Sequence, residues 1–388
     1  MQETILFPVP QGFRTFVTNL GIRDTTDDFS CVVSEVKCTA AGVFTQSRFV
    51  GPSVTISRRH IENGQAQAIA TISKNANVAN GAVGLADAEE VIALISAETG
   101  IAIDNILLAS TGLIGHRYPM ENIRKGLSNI KQQFLPADFS AIARAIMTTD
   151  TVSKLFVRQV GKATLVGVAK GVGMIEPNMA TLLTYFFTDA AIPSDRLRPM
   201  FRTVIDKTFN CLSIDTDTST SDTAIILANS LAGEVNEEEF THALEDIARN
   251  LVYMIARDGE GSTKVIEVTV DQAATYAQAK RVAKAIVNSP LVKTAIHGAD
   301  PNWGRVAMAI GKCSDDTDID QQRVVIRFGN LQVYPSEPKP DILDRLKAIM
   351  ADEKVGVHVS LNTGKASATV WGCALSEGYV KLNSQYST

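Results

Sequence analysis

Residues 170–184 read Lys-Gly-Val-Gly-Met-Ile-Glu-Pro-Asn-Met-Ala-Thr-Leu-Leu-Thr, and they form the most informative stretch of the chain. The glycines and the lysine invite comparison with phosphate-binding loops. Their spacing matches neither GxxxxGK followed by Ser or Thr nor GxGxxG, the two patterns whose backbone amides hold phosphates. We therefore do not expect a nucleotide to bind here.

Thr181 in this stretch is a candidate nucleophile for self-cleavage. The Ala180-Thr181 pair follows the turn-prone Pro177-Asn178, a setting compatible with self-cleavage. The threonine hydroxyl would attack the Ala180 carbonyl, the acyl group would move from nitrogen to oxygen, and water would release it. The freed α-amine, with an ordinary pKa of about 8, can act as a base without a histidine. On spacing alone, an ordinary threonine at the start of a strand explains the residue better.

The composition is that of a globular protein. Of 388 residues, 45% are apolar and 20% are charged, so the chain can bury a large core in two or three domains. A net charge of -5 and the lack of a Lys/Arg cluster argue against a nucleic-acid surface. No run reaches the ~18 apolar residues of a membrane span, and the N-terminus lacks the pattern of a signal peptide. Five scattered cysteines without a CxxC pair complete the expectation of a reduced, cytoplasmic protein.

Capping residues and apolar spacing predict three helices. Asp87 begins the first, and Gly100 follows its end. Asn236 caps the second, which Gly259 stops. The third covers residues 194–209.

Strands are predicted late in the chain, at residues 265–270, 324–328, 355–361 and 367–371. The last two flank Asn-Thr-Gly-Lys at residues 362–365, which predicts a hairpin. Antiparallel strands interspersed with helices favour an α+β or layered αββα fold over a doubly wound parallel sheet.

Segments spread along the whole chain resemble, in order and spacing, the ornithine acetyltransferase (glutamate N-acetyltransferase) family. In that family a Met-Ala-Thr sequence like residues 179–181 holds the cleavage site, and the threonine is the nucleophile. The other matching segments are Gly-Val-Phe-Thr (42–45), Gly-Pro-Ser-Val (51–54), Asn-Ala-Asn (75–77), Ser-Thr-Gly (110–112), Thr-Thr-Asp-Thr (148–151), residues 215–223, Asp-Gly-Glu-Gly (258–261) and His-Gly-Ala-Asp-Pro-Asn-Trp-Gly-Arg (297–305). The resemblance implies a layered αββα N-terminal-nucleophile fold with an additional smaller α/β domain.

The resemblance also implies a reaction. Family members move an acetyl group from N-acetylornithine to glutamate through an acetyl-threonine, a ping-pong scheme of arginine biosynthesis, with Thr181 as the nucleophile here. Negative charge on the acetyl oxygen needs an oxyanion hole, which the Thr111 hydroxyl and the Gly112 N–H would form. Glycine suits this role because its amide approaches the substrate without a Cβ in the way. No cofactor is expected.

Both substrates are α-amino acids, so the site needs groups of both charges. By resemblance, Lys170 offers positive charge to a carboxylate, and Glu260 contacts an ammonium group or the Thr181 amine. Thr148 is a further expected substrate contact, with its neighbour Thr149 as an alternative.

The C-terminal segment resembles the closing segment of the family, in which an asparagine and the terminal residue reach the substrate. Asn383 and Thr388 occupy those positions. The free carboxylate of Thr388 would supply negative charge for the side-chain amine of ornithine, with a neighbouring copy's site as one place for it.

Three features limit the resemblance. Residues 215–222 carry the acidic pattern of a calcium loop but lack its glycine and distal glutamate, which favours a hydrogen-bonded turn. Thr216 stands where the family commonly has glycine. In this departure the chain resembles a subgroup linked to clavulanic acid gene clusters, so the physiological substrate pair stays open. His297 fits a structural role better than that of a base, and no metal-ligand spacing occurs.

Self-cleavage would divide the chain into an α fragment of residues 1–180 and a β fragment of residues 181–388. The two are expected to fold together, with two of each in the assembly and no nucleic-acid or membrane partner. The alternative is an N-terminal-nucleophile amidase or aminopeptidase, in which water takes the acyl group. A non-enzymatic binding protein would require an intact chain. Whether acetyl-CoA also serves as donor, as in bifunctional members, stays open.

Overall fold

The computed structural model describes residues 8–176, 182–336 and 340–385. The strands are β1 (Phe13–Thr18), β2 (Phe29–Phe44), β3 (Gln65–Ile72), β4 (Ile106–Ser110), β5 (Leu135–Pro136), β6 (Lys154–Val160), β7 (Ala163–Lys170), β8 (Leu183–Ala191), β9 (Leu212–Ser213), β10 (Thr223–Glu234), β11 (Val265–Ala273), β12 (Val325–Phe328), β13 (Leu331–Tyr334), β14 (Lys354–Ser360) and β15 (Ala366–Cys373). The helices are α1 (Pro52–His60), α2 (Gly81–Thr99), α3 (Met120–Leu127), α4 (Phe139–Ala145), α5 (Ser194–Lys207), α6 (Glu237–Arg257), α7 (Tyr276–Val287), α8 (Pro290–His297), α9 (Trp303–Gly311), α10 (Pro340–Ala351) and α11 (Glu377–Gln385).

A large sheet has the order β4-β3-β2-β10-β8-β7-β6, with β1 on β2 and β5 on β1. Its longest strand, β2, has 16 residues and pairs with three strands, β1, β3 and β10. The first part pairs with β3, and residues 39–44 pair with β10. The register with β3 shifts between Val33 and Cys38, a bulge that bends the strand.

The bend lets the two halves of this sheet face each other. One apolar cluster joins Ile69 of β3 and Leu107 of β4 to Val168 of β7 and Tyr185 of β8, although these two pairs of strands are not neighbours in the sheet. The Tyr185 hydroxyl also lies 2.9 Å from the Thr71 hydroxyl of β3. Helices α2 and α3 cover the outer face of the first half, and α5 and α6 cover that of the second. This is the predicted αββα layering.

A smaller sheet has the order β13-β12-β14-β11-β15-β9, and α7 packs on β11 and β15. Helix α6 joins the two sheets, because its residues contact β6 and β7 on one side and β15 on the other. A continuous apolar core therefore runs from the large sheet into the smaller one. The predicted smaller α/β unit is present and shares a core with the larger one.

Two of the predicted helices are confirmed. Helix α6 begins after Asn236, whose side chain accepts hydrogen bonds from the N–H groups of Glu238 and Glu239, as a cap does. Helix α5 includes Pro199 without ending there.

The predicted start of the first helix was wrong. Helix α2 begins at Gly81, six residues before Asp87, and Asp87 instead pairs with Arg117 at 3.0 Å. The cap residue Asn80 makes no side-chain bond to the helix, so no capping signal marks the true start. The predicted end was right, since Gly100 adopts a left-handed φ of 75° directly after Thr99.

The predicted hairpin was also wrong. Strands β14 and β15 both exist, but β11 lies between them, parallel to β14 and antiparallel to β15. The turn that joins them binds the end of β11: Leu361 N–H donates to the Asp271 carbonyl at 3.1 Å, and Gly364 N–H donates to the Gln272 carbonyl at 2.9 Å. The turn therefore crosses over a strand instead of closing a hairpin.

In the parts of the chain that the structure describes, no helix is long and apolar enough to cross a membrane. The five cysteines are free thiols, and all but Cys313 are buried.

Candidate active site

Six of the predicted site residues line a single cleft: Thr111, Gly112, Thr148, Lys170, Glu260 and Asn383. They come from the end of β4, the segment after α4, the end of β7, the loop after α6, and α11. Leu182, which follows Thr181 in the chain, lines the same cleft. Ala180, Thr181 and Thr388 lie outside the described residues, and their roles stay predictions.

The pairing of three strands explains where the cleft forms. Lys170, the last residue of β7, pairs with Leu183, the first residue of the antiparallel strand β8. Thr223, the first residue of the parallel strand β10, also pairs with Leu183. The end of one central strand and the beginnings of two others thus meet at one edge of the sheet.

Thr111 and Gly112 form a fixed turn directly after β4. Thr111 N–H donates to the Ile72 carbonyl at 3.1 Å, and Leu113 N–H donates to the Lys74 carbonyl at 3.2 Å. Gly112 has a φ of +122°, and a Cβ there would lie 2.1 Å from the Lys74 carbonyl carbon. Only glycine fits such a position, so the turn is built for a residue without a side chain.

Lys170 places a buried ammonium group in the cleft. Its Nζ donates to Thr148 Oγ1 at 3.4 Å. Burial lowers the pKa of Lys170, and the carboxylates of Asp150, Asp222 and Glu260 act in the opposite direction. A cation enclosed in this way is suited to bind a carboxylate ligand, because water screens it only weakly.

The Glu260 carboxylate is held in the cleft by several contacts. Its Oε1 accepts from Thr149 Oγ1 at 3.0 Å, and its Oε2 accepts from Asn383 Nδ2 at 2.8 Å. Its backbone N–H donates to the Val172 carbonyl at 3.0 Å. A Cβ on Gly173 would lie 2.6 Å from the carboxylate, so Glu260 depends on glycine at that position.

The neighbouring threonines Thr148 and Thr149 both reach the cleft, and each contacts a different charged residue. The two alternatives left by the sequence therefore both line the cleft, and their contact with substrate stays a prediction. Asn383 reaches Glu260 of its own chain, so at least this part of the C-terminal segment needs no neighbouring copy.

A buried ion cluster lies behind the cleft. Lys154 Nζ contacts Asp150 Oδ1 at 2.7 Å and Asp258 Oδ2 at 2.6 Å. Burial acts to raise the pKa of Asp150, but the ammonium groups of Lys154 and Lys170 outweigh it, and the pKa is lowered. Asp150 Oδ1 also accepts from Gly171 N–H at 2.6 Å. The cluster fixes the backbone just after Lys170 and the loop that carries Glu260.

The chain that leads to the predicted cleavage bond is fixed by the loop before β10. The Asp215 carboxylate accepts from the N–H groups of Met174 at 2.6 Å and Ile175 at 2.7 Å. The Glu176 carboxylate accepts from Ser213 Oγ at 2.9 Å. The loop at residues 215–222 is thus tied by hydrogen bonds to the chain before the predicted cleavage bond. No cluster of His, Cys, Asp or Glu suited to a metal occurs among the described residues.

Two residues that the sequence singled out lie apart from the cleft lining. Thr216 has a φ of +71°, which explains why glycine suits this position. His297 ends α8, and its Nε2 lies 3.5 Å from Glu377 Oε2. It does not line the cleft, as expected of a structural histidine.

Sequence reasoning missed Asp222, which lines the cleft and is 2% exposed. Burial raises the pKa of Asp222 well above its ordinary range. The sequence carried one signal: an aspartate directly before the apolar strand residues 223–228. Aspartate is rarely buried unless its carboxylate is paired, so an aspartate directly before a buried strand indicates a specific role.

The cleft thus combines a buried cation, two carboxylates, several hydroxyls and a glycine turn beside the end of a central strand. Such a set can bind a zwitterionic ligand by both of its charges. It can also stabilise an oxyanion if a nucleophile attacks a carbonyl group there.

The chain is similar to known proteins over nearly its whole length. A family model described as the ArgJ family matches residues 14–388. "Arginine biosynthesis bifunctional protein ArgJ 2" of Nostoc sp. (strain PCC 7120) is 69% identical over 379 residues, which are 98% of each chain. "Glutamate N-acetyltransferase Oat2" of Streptomyces clavuligerus is 52% identical over 385 residues, again 98% of each. A solved structure of an arginine biosynthesis bifunctional protein from Bacillus halodurans is 37% identical, covers 51% of this chain and 96% of its own, and has a TM-score of 0.48.

Proposed function

Because the chain belongs to the ArgJ family, we propose that it acts through Thr181 after cleaving itself at the Ala180–Thr181 bond. The chain is a glutamate N-acetyltransferase, the activity for which its Streptomyces clavuligerus relative is named. It acts in arginine biosynthesis, which the name of its Nostoc relative gives. Its substrates are small amino acids, with N-acetylornithine as the acetyl donor and glutamate as the acceptor.

One observation carries the role of Thr181. Thr111, Gly112, Lys170 and Glu260 line one cleft, and Leu182, which is bonded to Thr181, lines it too. A nucleophile at residue 181 therefore adjoins the groups that an acyl transfer needs.

The acetyl transfer then follows a balanced sequence. The Thr181 amine takes the proton of the Thr181 hydroxyl as the oxygen attacks the acetyl carbon. The Thr111 hydroxyl and the Gly112 N–H stabilise the negative oxygen, a contribution of about 10²–10³ in rate for one such donor. The carbon–nitrogen bond breaks as ornithine leaves with the proton. Glutamate reverses these steps and departs as N-acetylglutamate, which makes the reaction ping-pong.

The charged groups of the cleft orient both amino acids. Lys170 binds their α-carboxylates, with Thr148 beside it, and Glu260 binds an ammonium group. Asn383 holds Glu260 in place. The Thr388 carboxylate would add negative charge for the side-chain amine of ornithine.

Cleavage is tested on the purified full-length chain by a denaturing gel with N-terminal sequencing. We expect fragments of residues 1–180 and 181–388, the second beginning at Thr181. Thr181→Ala should stay whole and inactive, whereas Thr203→Ala, a change at an exposed threonine of α5, should be cut like the wild type. An uncut wild-type chain with full activity would refute the proposal.

Acceptor dependence separates the transferase from a hydrolase. Release of ornithine from N-acetylornithine should require glutamate. Equal release with and without glutamate would make water the acceptor and favour the amidase alternative.

The name "bifunctional" of the Nostoc relative motivates a second proposal about the donor. We propose that acetyl-CoA also acetylates Thr181, as the family resemblance implies for bifunctional members. Formation of N-acetylglutamate from acetyl-CoA and glutamate by the wild type, but not by Thr181→Ala, tests it. Absence of the product at saturating acetyl-CoA would restrict the enzyme to acetyl recycling.

Two fragments of each kind are proposed to form the assembly in the cytoplasm. The exposed apolar side chains Val380 and Leu382 on α11 support a contact between copies, since apolar surface favours association. Sedimentation of the cleaved protein should give the mass of two whole chains, and a mass of one chain would exclude the pairing.

A further inference from the structure

We propose that Asp222 carries the proton that moves from the Thr181 hydroxyl to the Thr181 nitrogen during self-cleavage. This inference rests on the self-cleavage proposed above and adds the base that the step needs. The α-amine that serves acetyl transfer is not available for it, because it is still an amide nitrogen while the Ala180–Thr181 bond is intact.

The position of Asp222 points to this role. The Leu182 N–H acts to lower the pKa of Asp222, so it lies near the carboxylate, and its nitrogen is bonded to the Thr181 carbonyl carbon. On the other side, Thr223 N–H donates to the Leu182 carbonyl at 3.0 Å. The backbone of Leu182, the residue bonded to Thr181, thus lies against residues 222 and 223.

One oxygen of the carboxylate is available. Asp222 Oδ2 is buried and has no hydrogen-bond partner among the described residues. The side chain is 2% exposed, yet it lines the cleft. Buried carboxylate oxygens are normally satisfied, so an unpartnered one in a cleft is placed to accept a proton.

The other charged groups of the cleft are engaged elsewhere. Lys170 donates to Thr148, and Glu260 accepts from Thr149 and Asn383. Among the described residues, these contacts leave Asp222 as the carboxylate with an open oxygen beside Leu182.

The surroundings of Asp222 also make it a stronger base than an ordinary aspartate. Burial raises its pKa well above the usual range, and the Ser219 hydroxyl and the Lys170 ammonium oppose that only in part. Lys170 is the titratable group facing Asp222, and it is itself faced by Asp150, Lys154 and Glu260. A base works best when its pKa lies close to the working pH.

The proposed step balances without another reactant. As the Thr181 oxygen bonds to the Ala180 carbonyl carbon, the hydroxyl proton passes to Asp222. The carbon–nitrogen bond then breaks while Asp222 gives the same proton to the Thr181 nitrogen, and an ester remains. Water hydrolyses the ester, which leaves a carboxylate on Ala180 and restores the Thr181 hydroxyl.

The test compares three full-length chains made by cell-free translation: the wild type, Asp222→Asn and the control Asp189→Asn. Asp189 is also buried, but it accepts from Gln11 N–H and Thr164 N–H near the far end of β8. Cleavage is followed by pulse–chase on denaturing gels from pH 5 to pH 9. Asp222→Asn should cleave at least ~100-fold more slowly, in line with the usual contribution of a general base, and Asp189→Asn should stay within about threefold of the wild type.

The pH profile separates a proton carrier from a structural residue. The wild-type rate should fall toward low pH as Asp222 becomes protonated, and Asp222→Asn should lose that dependence. Wild-type cleavage at one rate across this range would overturn the proposal even if Asp222→Asn fails to fold, which a melting curve reports. Asp222→Asn cleavage at the wild-type rate would overturn it as well. A wild type that never cleaves would instead refute the self-cleavage on which the inference rests.

Discussion

Thr216 occupies a backbone conformation that disfavours its own side chain. A left-handed φ costs a residue with a Cβ roughly 1–2 kcal/mol, and Thr216 has a φ of +71° in the turn that holds Met174 and Ile175. Threonine is β-branched, which makes this conformation rarer still. The turn is therefore kept by its hydrogen bonds against a local preference.

Thr216→Gly should raise the free energy of unfolding. We expect a gain of about 0.5–1 kcal/mol, because the relief of strain is partly offset by the greater freedom of glycine in the unfolded chain, about 0.4–1 kcal/mol. Urea unfolding measures it. Asn129→Gly is the matched control: Asn129 has a φ of +62°, but asparagine tolerates that region, so no gain is expected. Equal effects of the two changes would contradict the strain argument.

The lowered pKa of Lys170 predicts how substrate affinity depends on pH. Burial lowers its pKa below the ordinary value of 10.5, and only the protonated form binds a carboxylate. As the pH rises through this lowered pKa, the charge is lost, so KM for N-acetylornithine should begin to rise at a pH below the ordinary lysine range.

Lys170→Arg provides the comparison, because arginine stays charged throughout. Its KM should be higher than that of the wild type at neutral pH but flat where the wild-type value rises. If both enzymes lose affinity over the same pH range, the titration belongs to the substrate or to another residue.

The sequence predicted most of the residues that line the cleft, and the structure added Asp222. The family resemblance was enough to select Lys170 and Glu260, because each belongs to a recognisable segment. Asp222 also lies in a matching segment, residues 215–223, but nothing in that segment distinguished it from the other acidic residues there. Its place in the cleft follows from the pairing of β10 with β8 from the first residue of each strand. Strand pairing of this kind joins residues far apart in the chain, and local sequence does not encode it.

At the scale of elements, the ion cluster of Lys154 joins the beginning of β6 to the end of α6. Lys154 and Asp150 are fully buried, and Asp258 nearly so. Lys154→Met would leave two buried carboxylates without their cation. Removing one member of a buried pair costs about 3–5 kcal/mol, so we expect a loss of that size in the free energy of unfolding.

Urea unfolding at pH 7 checks this value, with Lys162→Met as the control. Lys162 lies on the exposed turn between β6 and β7, and its change should stay within about 0.5 kcal/mol. A loss below ~1 kcal/mol for Lys154→Met would mean that water reaches the two carboxylates in the folded protein.

Helices and strands were predicted correctly where the residues that define them lie within the element itself. Helix α6 was predictable because its cap and apolar spacing lie within the helix itself. The start of α2 was not, because Asn80 makes no capping bond. The hairpin prediction failed for a different reason: the turn at residues 362–365 looks local but bonds to the end of β11, some 90 residues earlier.

At the scale of the whole molecule, the proposed break falls between β7 and β8, two antiparallel neighbours in the large sheet. Strand β2 of the first fragment also pairs with β10 of the second. The fragments would therefore share one sheet and one core, and neither could bury its apolar strands alone.

Because the two fragments share this sheet, the stability of the cleaved protein depends on its concentration. The unfolded state of a cut protein has one more independent chain per copy than that of an uncut protein, so its folding equilibrium depends more steeply on concentration. For each tenfold dilution, cleaved wild type should lose about 1.4 kcal/mol more of its apparent free energy of unfolding than uncut Thr181→Ala. Denaturant curves at several protein concentrations measure the difference, and parallel shifts in the two proteins would show that the sheet is not divided between two chains. When cell growth dilutes such an enzyme, its folded fraction should fall more steeply than that of an uncut chain of the same stability.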